Sequence, residues 1–120
     1  MDMDFIAVSS YGSSTKTSGV VRLIKDIDID ITNKHVLIVE DLIDTGLTLN
    51  YLKDLFNTRS PASVKICTAL DKPSRRQIQI PVDYKGITIP DEFVIGYGLD
   101  FAGKYRNLPD VCVMKTNYWN

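Results

Sequence analysis

Val36-Leu-Ile-Val-Glu-Asp-Leu-Ile-Asp-Thr-Gly-Leu-Thr48 is the stretch from which the fold of this chain can be read. Four apolar residues, Val36 to Val39, run without alternation. Such a short run, with two valines and an isoleucine, predicts a strand buried on both faces, as in a parallel sheet. It stops at two adjacent acids, Glu40 and Asp41, and Asp44, Thr45, Gly46 and Thr48 come soon after. Beyond them Leu49, Leu52, Leu55 and Phe56 recur at helical spacing, which predicts a helix of about ten residues over 48–57. The order is strand, polar loop with a glycine, helix. It brings a helix N-terminus and free backbone N–H groups to the carboxyl end of a strand, where α/β sheets bind ligands.

The charges in the loop narrow the ligand. A site for phosphate alone would avoid carboxylates, because like charges repel. The amides and two hydroxyls of Asp44–Thr48 suit a phosphate. Glu40 and Asp41, one loop-width back, suit sugar hydroxyls or a magnesium ion better. One ligand with a phosphate at one end and a diol at the other uses both halves, and a ribose 5-phosphate has that shape. The plainer alternative is that Asp44 or Thr45 only caps the helix. Two acids at the strand end and two threonines around the glycine favour a site.

These residues resemble the phosphoribosyl-pyrophosphate-binding signature of the type I purine phosphoribosyltransferases. The longer pattern is similar to the hypoxanthine-guanine branch of that family. It includes Ser9-Ser10-Tyr11-Gly12, Asp71-Lys72, Pro90-Asp91-Glu92-Phe93-Val94-Ile95-Gly96-Tyr97-Gly98-Leu99-Asp100 and Tyr105-Arg106-Asn107-Leu108. The resemblance implies an α/β fold, a mostly parallel sheet flanked by helices, with a flexible-loop hairpin and a short C-terminal β region. It implies transfer of ribose 5-phosphate from phosphoribosyl pyrophosphate to hypoxanthine or guanine, giving IMP or GMP and pyrophosphate, with Mg2+ as cofactor. Glu40 and Asp41 would hold the ribose hydroxyls or the metal, and Thr45, Gly46, Leu47 and Thr48 the 5-phosphate. Asp44 would be the catalytic base at the purine N7. Lys72, Phe93 and Val94 would bind the purine: a cation over the exocyclic oxygen, an aromatic stacked on the ring, a backbone contact. A cation donor at Lys72 favours a 6-oxopurine, because a 6-amino group accepts poorly. Ser10 and Tyr11 on a lid and Arg106 would meet the pyrophosphate, and Asp100 would join the metal ligands. Without the resemblance, Asp100 and Arg106 read as ordinary surface charges and Phe93 as core. The resemblance also implies a homo-oligomer, a dimer or tetramer.

Composition agrees with a small domain. At 120 residues and 44% hydrophobic content, the expectation is a single domain over 1–120 with a real core. Fourteen Lys+Arg against fifteen Asp+Glu leaves no basic footprint for nucleic acid or a membrane surface. No apolar run approaches the ~18 residues of a membrane span. Met1-Asp2-Met3-Asp4 lacks the basic start of a secretory leader, and Cys67 and Cys112 sit in apolar runs that suit reduced core thiols. A cytoplasmic location is expected. With His35 the only histidine, a zinc site is disfavoured.

Elsewhere the chain reads as strands and turns. Asp4–Val8 is a strand, Ser9–Gly19 a polar loop without an aliphatic side chain, and Val20–Ile24 a strand. Together they predict a hairpin with a mobile tip, either a plain surface loop or a lid. In Lys25–Ile31, Asp26, Asp28 and Asp30 alternate with isoleucines, which predicts an extended segment with one dry face. Ala62–Leu70 is a strand, Ser74-Arg75-Arg76 a basic turn, Tyr84–Pro90 strand and turn, and Val111–Met114 a last strand, with Trp119 in the tail. There is no G-x-G-x-x-G and no P-loop, which disfavours dinucleotide enzymes and P-loop NTPases. Relatives carry a core strand and a Leu-Lys-Gly-type pyrophosphate loop ahead of the strand at Phe5, and this sequence has neither. A shortened member is expected. Two further readings stay open: a non-catalytic nucleotide-binding or regulatory module, and an inactive fragment of an assembly.

Overall fold

The computed structural model describes residues 1–10 and 21–115, except for the side chain of Ser10. Tyr11, most of the expected lid and the tail with Trp119 lie outside the described residues. The chain divides into two compact units, Met1–Thr88 and Ile89–Asn120.

In the first unit, β1 (Ala7–Ser10) pairs antiparallel with β2 (Val21–Lys25), the two arms of the expected hairpin. Three strands then form a parallel sheet in the order β3 (His35–Ile43), β4 (Ser63–Asp71), β5 (Tyr84–Thr88). A helix, α1 (Leu47–Asn57), links β3 to β4. This is the α/β architecture expected from the sequence. The helix starts one residue before the expected position and ends on it.

The strand β3 does not stop at the acids. It runs on to Ile43, because its register against β4 continues through Glu40–Thr68, Leu42–Leu70 and Ile43–Asp71. Nor is it buried on both faces. Leu37 and Val39 remain 53% and 71% exposed, while Ile38 is buried. The reason is the number of covering layers. Among the described residues α1 is the one α-helix, and it covers a single face of the sheet. The opposite face carries Leu37 and a row formed by Val39, Cys67 and Tyr84, which the parallel register places side by side.

The covered face holds the core. Leu49, Leu52 and Phe56 of α1 pack with Ile38, Ile43 and Ile66, joined by Ile31 and Ile80. An isolated helix of this length is marginal in water. Three buried apolar side chains at ~1.5–3 kcal/mol each are what hold it in place. It ends where Thr58 turns its hydroxyl onto the Leu55 carbonyl at 2.6 Å. The Asp–Ile alternation behaves as expected in part. Ile31 is buried, and Asp28 and Asp30 face solvent, but beyond Lys25 the segment joins no strand ladder. Arg59 anchors it by donating two hydrogen bonds to Asp26, at 2.9 and 2.6 Å. That pair holds the Asp26 carboxyl below its ordinary pKa.

The second unit is small. β6 (Val94–Ile95) pairs antiparallel with β7 (Cys112–Val113), and the Phe93 carbonyl accepts the Met114 amide at 2.8 Å. Val94, Ile95 and Met114 are buried. Phe93 meets Phe101 edge-to-face at 5.7 Å between centroids. Both cysteines are free and half-buried rather than deep in the core. No helix among the described residues is long and apolar enough to cross a membrane.

Candidate functional site

At the carboxyl end of β3 lies an open cavity of about 150 Å³. Glu40, Asp44, Thr45, Gly46 and Thr48 supply its polar wall, and Leu42, Ile43 and Leu49 its apolar one. The loop turns into α1 at Gly46, whose φ of +86° is the left-handed conformation that glycine adopts without a steric cost. No side chain caps the helix at Gly46, and no acid lies in its first turn. The positive end of the helix dipole is thus left for a ligand. Thr45 does contribute locally: its hydroxyl accepts the Leu47 amide at 3.3 Å.

The direction of the loop amides follows from where its carbonyls go. The Ile43 carbonyl accepts from the Lys72 amide at 3.0 Å, and the Asp44 carbonyl from Arg76 Nη1 at 2.8 Å. The Thr45 carbonyl accepts from the Gln77 amide at 2.9 Å. In a planar trans peptide the N–H points opposite to the C=O. The amides of Asp44, Thr45 and Gly46 therefore point away from the 72–77 segment. An oxyanion placed there would meet donors rather than carbonyl oxygens.

The two acids part company. Consecutive side chains of a strand point to opposite faces. Glu40 lines the cavity, whereas Asp41 is exposed and does not. Burial pushes the Glu40 carboxyl above its ordinary pKa, and the Asp41 charge adds to the push. The folded state thus favours protonated Glu40, and the stability it contributes is lost as pH rises through the raised value. Glu40→Gln is expected to raise the melting temperature of the ligand-free chain by a few degrees at neutral pH. The gain should close as pH falls through the folded pKa of Glu40. Thermal melts across the acidic-to-neutral range measure it, and a gain independent of pH would contradict the cause given.

Asp44 points its carboxylate at Arg75, with Nε donating at 2.9 Å, and both side chains are nearly half exposed. Lys72 is buried at the end of β4, 6% exposed, just before a single 3-10 turn at Pro73–Arg75. In the second unit Val94 is buried and Phe93 is 37% exposed. Asp100 and Arg106 are brought together: Asp100 accepts the Gly103 amide at 2.7 Å and lies 3.4 Å from Arg106. Arg106 also donates to the Gly98 carbonyl at 2.9 Å. Among the described residues no three His, Cys, Asp or Glu side chains gather as a metal cluster.

In the sequence Asp71 stands out only beside Lys72, and Arg75 and Arg76 only as a basic turn, with no role for any of the three. Arg76 is nearly buried and donates to Asp71 at 2.5 Å. The one signal was an acid ending a strand five residues before the second of two arginines, and a basic turn explains that equally well.

Comparison with other proteins agrees with this geometry. A profile of the phosphoribosyl transferase domain matches residues 1–102. The hypoxanthine phosphoribosyltransferase of Haemophilus influenzae is 56% identical over 108 residues, covering 90% of this chain and 60% of the relative. The hypoxanthine-guanine phosphoribosyltransferase of Bacillus subtilis is 54% identical over 115 residues, covering 96% of this chain and 64% of the relative. A crystal structure of a hypoxanthine phosphoribosyltransferase from Staphylococcus aureus superposes with a TM-score of 0.91 at 47% identity. It covers 98% of this chain and 64% of that one. The chain thus spans less than two thirds of the length of these relatives. Strand, amide-lined turn and helix coincide with the matched region, and on these grounds the chain belongs to the phosphoribosyl transferase domain family.

Proposed function

We propose that the protein to which this chain belongs is a purine salvage phosphoribosyltransferase. It transfers ribose 5-phosphate from phosphoribosyl pyrophosphate to hypoxanthine or guanine, giving IMP or GMP and pyrophosphate. The observation that carries the reading is the turn at Asp44–Thr48, with its carbonyls held back, its amides outward and an uncapped helix N-terminus behind it. The 5-phosphate occupies that turn, and Glu40 reaches the ribose hydroxyls. Asp41, on the other face of the strand, is assigned the same role by resemblance alone. Asp44 takes or returns the proton at the purine N7 as the glycosidic carbon becomes electron-poor. Phe93, Val94, Ser10, Tyr11 and Arg106 keep the base-binding and pyrophosphate roles that the resemblance implies. The assembly is a homo-oligomer, and the compartment is the cytoplasm.

Magnesium suits this donor set only if the substrate brings most of its ligands. Mg2+ on phosphate-bearing substrates is held by few protein carboxylates, and among the described residues no cluster of three gathers. The resemblance assigns Glu40 and Asp41 of the first unit and Asp100 of the second to it, and of these Glu40 alone lines the cavity. The ion would offset charge on the departing pyrophosphate.

The test is a magnesium-dependent assay of IMP formation by the 120-residue chain. Turnover supports the reading. Binding of a purine ribonucleotide without turnover favours a nucleotide-binding module, and binding of no ribose phosphate sinks both. Lys72→Ala is expected to cut the preference for guanine over adenine by about 10- to 100-fold, the worth of one charged hydrogen bond. An unchanged ratio removes Lys72 from specificity.

A further inference from the structure

Arg76 stands behind the candidate phosphate turn with its guanidinium spent on protein acceptors. Its side chain is 10% exposed and its partner Asp71 is 6% exposed, so the charge pair is nearly dry. Buried ion pairs contribute little net stability, and an apolar pair of similar volume often does as well. What such a pair supplies is direction. The planar guanidinium donates from Nη2 to Asp71 at 2.5 Å and from Nη1 to the Asp44 carbonyl at 2.8 Å. One rigid group thus joins the end of β4 to the turn after β3. Its Cδ also lies only 3.1 Å from where a β-carbon on Gly46 would stand, so it closes the turn from behind.

We propose that Arg76 is a positioning residue of the phosphoribosyl site, which orients the loop amides by holding the Asp44 carbonyl away from the ligand. The proposal rests on the phosphoribosyl reading above. With Nη1 on that carbonyl, the Thr45 amide is turned the opposite way, toward the phosphate. The Ile43 and Thr45 carbonyls are held by backbone amides of the same segment, which no side-chain substitution removes. The Asp44 carbonyl alone among the three is held by a side chain. Arg75, its neighbour, meets the Asp44 carboxylate instead and lies open to solvent. The two arginines therefore act on different groups of one residue: one on its backbone, the other on its charge.

Lysine tests the idea, because it keeps the charge for Asp71 but cannot serve two acceptors with a planar fork. In the 120-residue chain, Arg76→Lys is expected to weaken ribose 5-phosphate binding, read by titration calorimetry, by about tenfold, the worth of one charge-assisted hydrogen bond. With ribose 5-phosphate present at a fixed subsaturating concentration, amide hydrogen exchange at Thr45–Thr48 should be faster than in the parent, while that of Ile66 in the core stays as it was. In the assay, KM for phosphoribosyl pyrophosphate should rise and kcat change little. A second variant, Asp71→Leu with Arg76→Met, replaces the buried charge pair by an apolar pair of similar volume. It is expected to fold as stably as the parent and to show the same loss of binding. Parental affinity and exchange in both variants overturn the positioning role and leave the phosphoribosyl reading standing. Absence of ribose 5-phosphate binding by the parent chain overturns that reading and the role with it.

Discussion

Asp44→Asn is expected to lower kcat by about 10²–10⁴-fold, the range a positioned general base supplies, and to leave the affinity for phosphoribosyl pyrophosphate nearly unchanged. The split follows from what the carboxylate touches. Its one contact with a named partner is Arg75, at 2.9 Å, and both side chains are close to half exposed. An ion pair that open is worth at most about 1 kcal/mol, so its loss leaves the fold intact. The loop geometry depends on the Asp44 carbonyl, which asparagine keeps. Removing a negative charge beside a phosphate, if it does anything to binding, strengthens it. Asparagine can still donate or accept a hydrogen bond at the purine, but it cannot carry away a proton. Steady-state kinetics alongside calorimetric binding decide the matter. A parallel loss in kcat and affinity would return Asp44 to a structural role as part of the turn.

The second large effect falls on the backbone. Gly46→Ala is expected to lower the melting temperature by about 10 °C or more and to weaken ribose 5-phosphate binding at least tenfold. A β-carbon in the left-handed region costs about 1–2 kcal/mol by itself. Here it would also meet Arg76 Cδ and the Ile78 carbonyl at 3.1 Å and Ile80 Cγ2 at 3.3 Å. The isoleucine belongs to the core, and the carbonyl is backbone, so neither withdraws freely. Gly98 provides the control. Its φ is +98°, yet nothing lies within 4 Å of the place a β-carbon would take. Gly98→Ala should show the conformational cost alone. Equal losses from the two substitutions would mean that crowding at Gly46 contributes nothing.

How far the sequence revealed these features depended on whether the signal was local. The order of β3, loop and α1 was legible because each part carries its own mark: an apolar run, a glycine among hydroxyls, leucines at helical spacing. The left-handed φ of Gly46 is a finding of the structure, and the sequence left open whether Asp44 or Thr45 caps the helix. Burial of the second face of β3 was misread. Whether Leu37 and Val39 are covered depends on what stands across from them, and nothing within the strand encodes that. The stop at Glu40 was misread for a related reason. Charges look like a strand end, yet the ladder with β4 carries the backbone on to Ile43 while the two acids go to opposite sides. Arg76 reads in the sequence as part of a basic turn and no more, because its partners lie five and thirty-two residues away and only folding brings them together. Ile80 joins the core from a segment with no strand or helix pattern to announce it.

The uncovered side of the parallel sheet has a consequence for how the chain behaves in the tube. Val39, Cys67 and Tyr84 lie abreast, with Val39 71% and Tyr84 52% exposed and Leu37 close by. Water beside such a strip is poorly compensated. Environment-sensitive dyes would fluoresce on it, hydrophobic resins would retain the chain, and mild detergent would improve recovery from columns. None of this requires loosening of the native structure, so dye fluorescence from this chain is no evidence of a molten state.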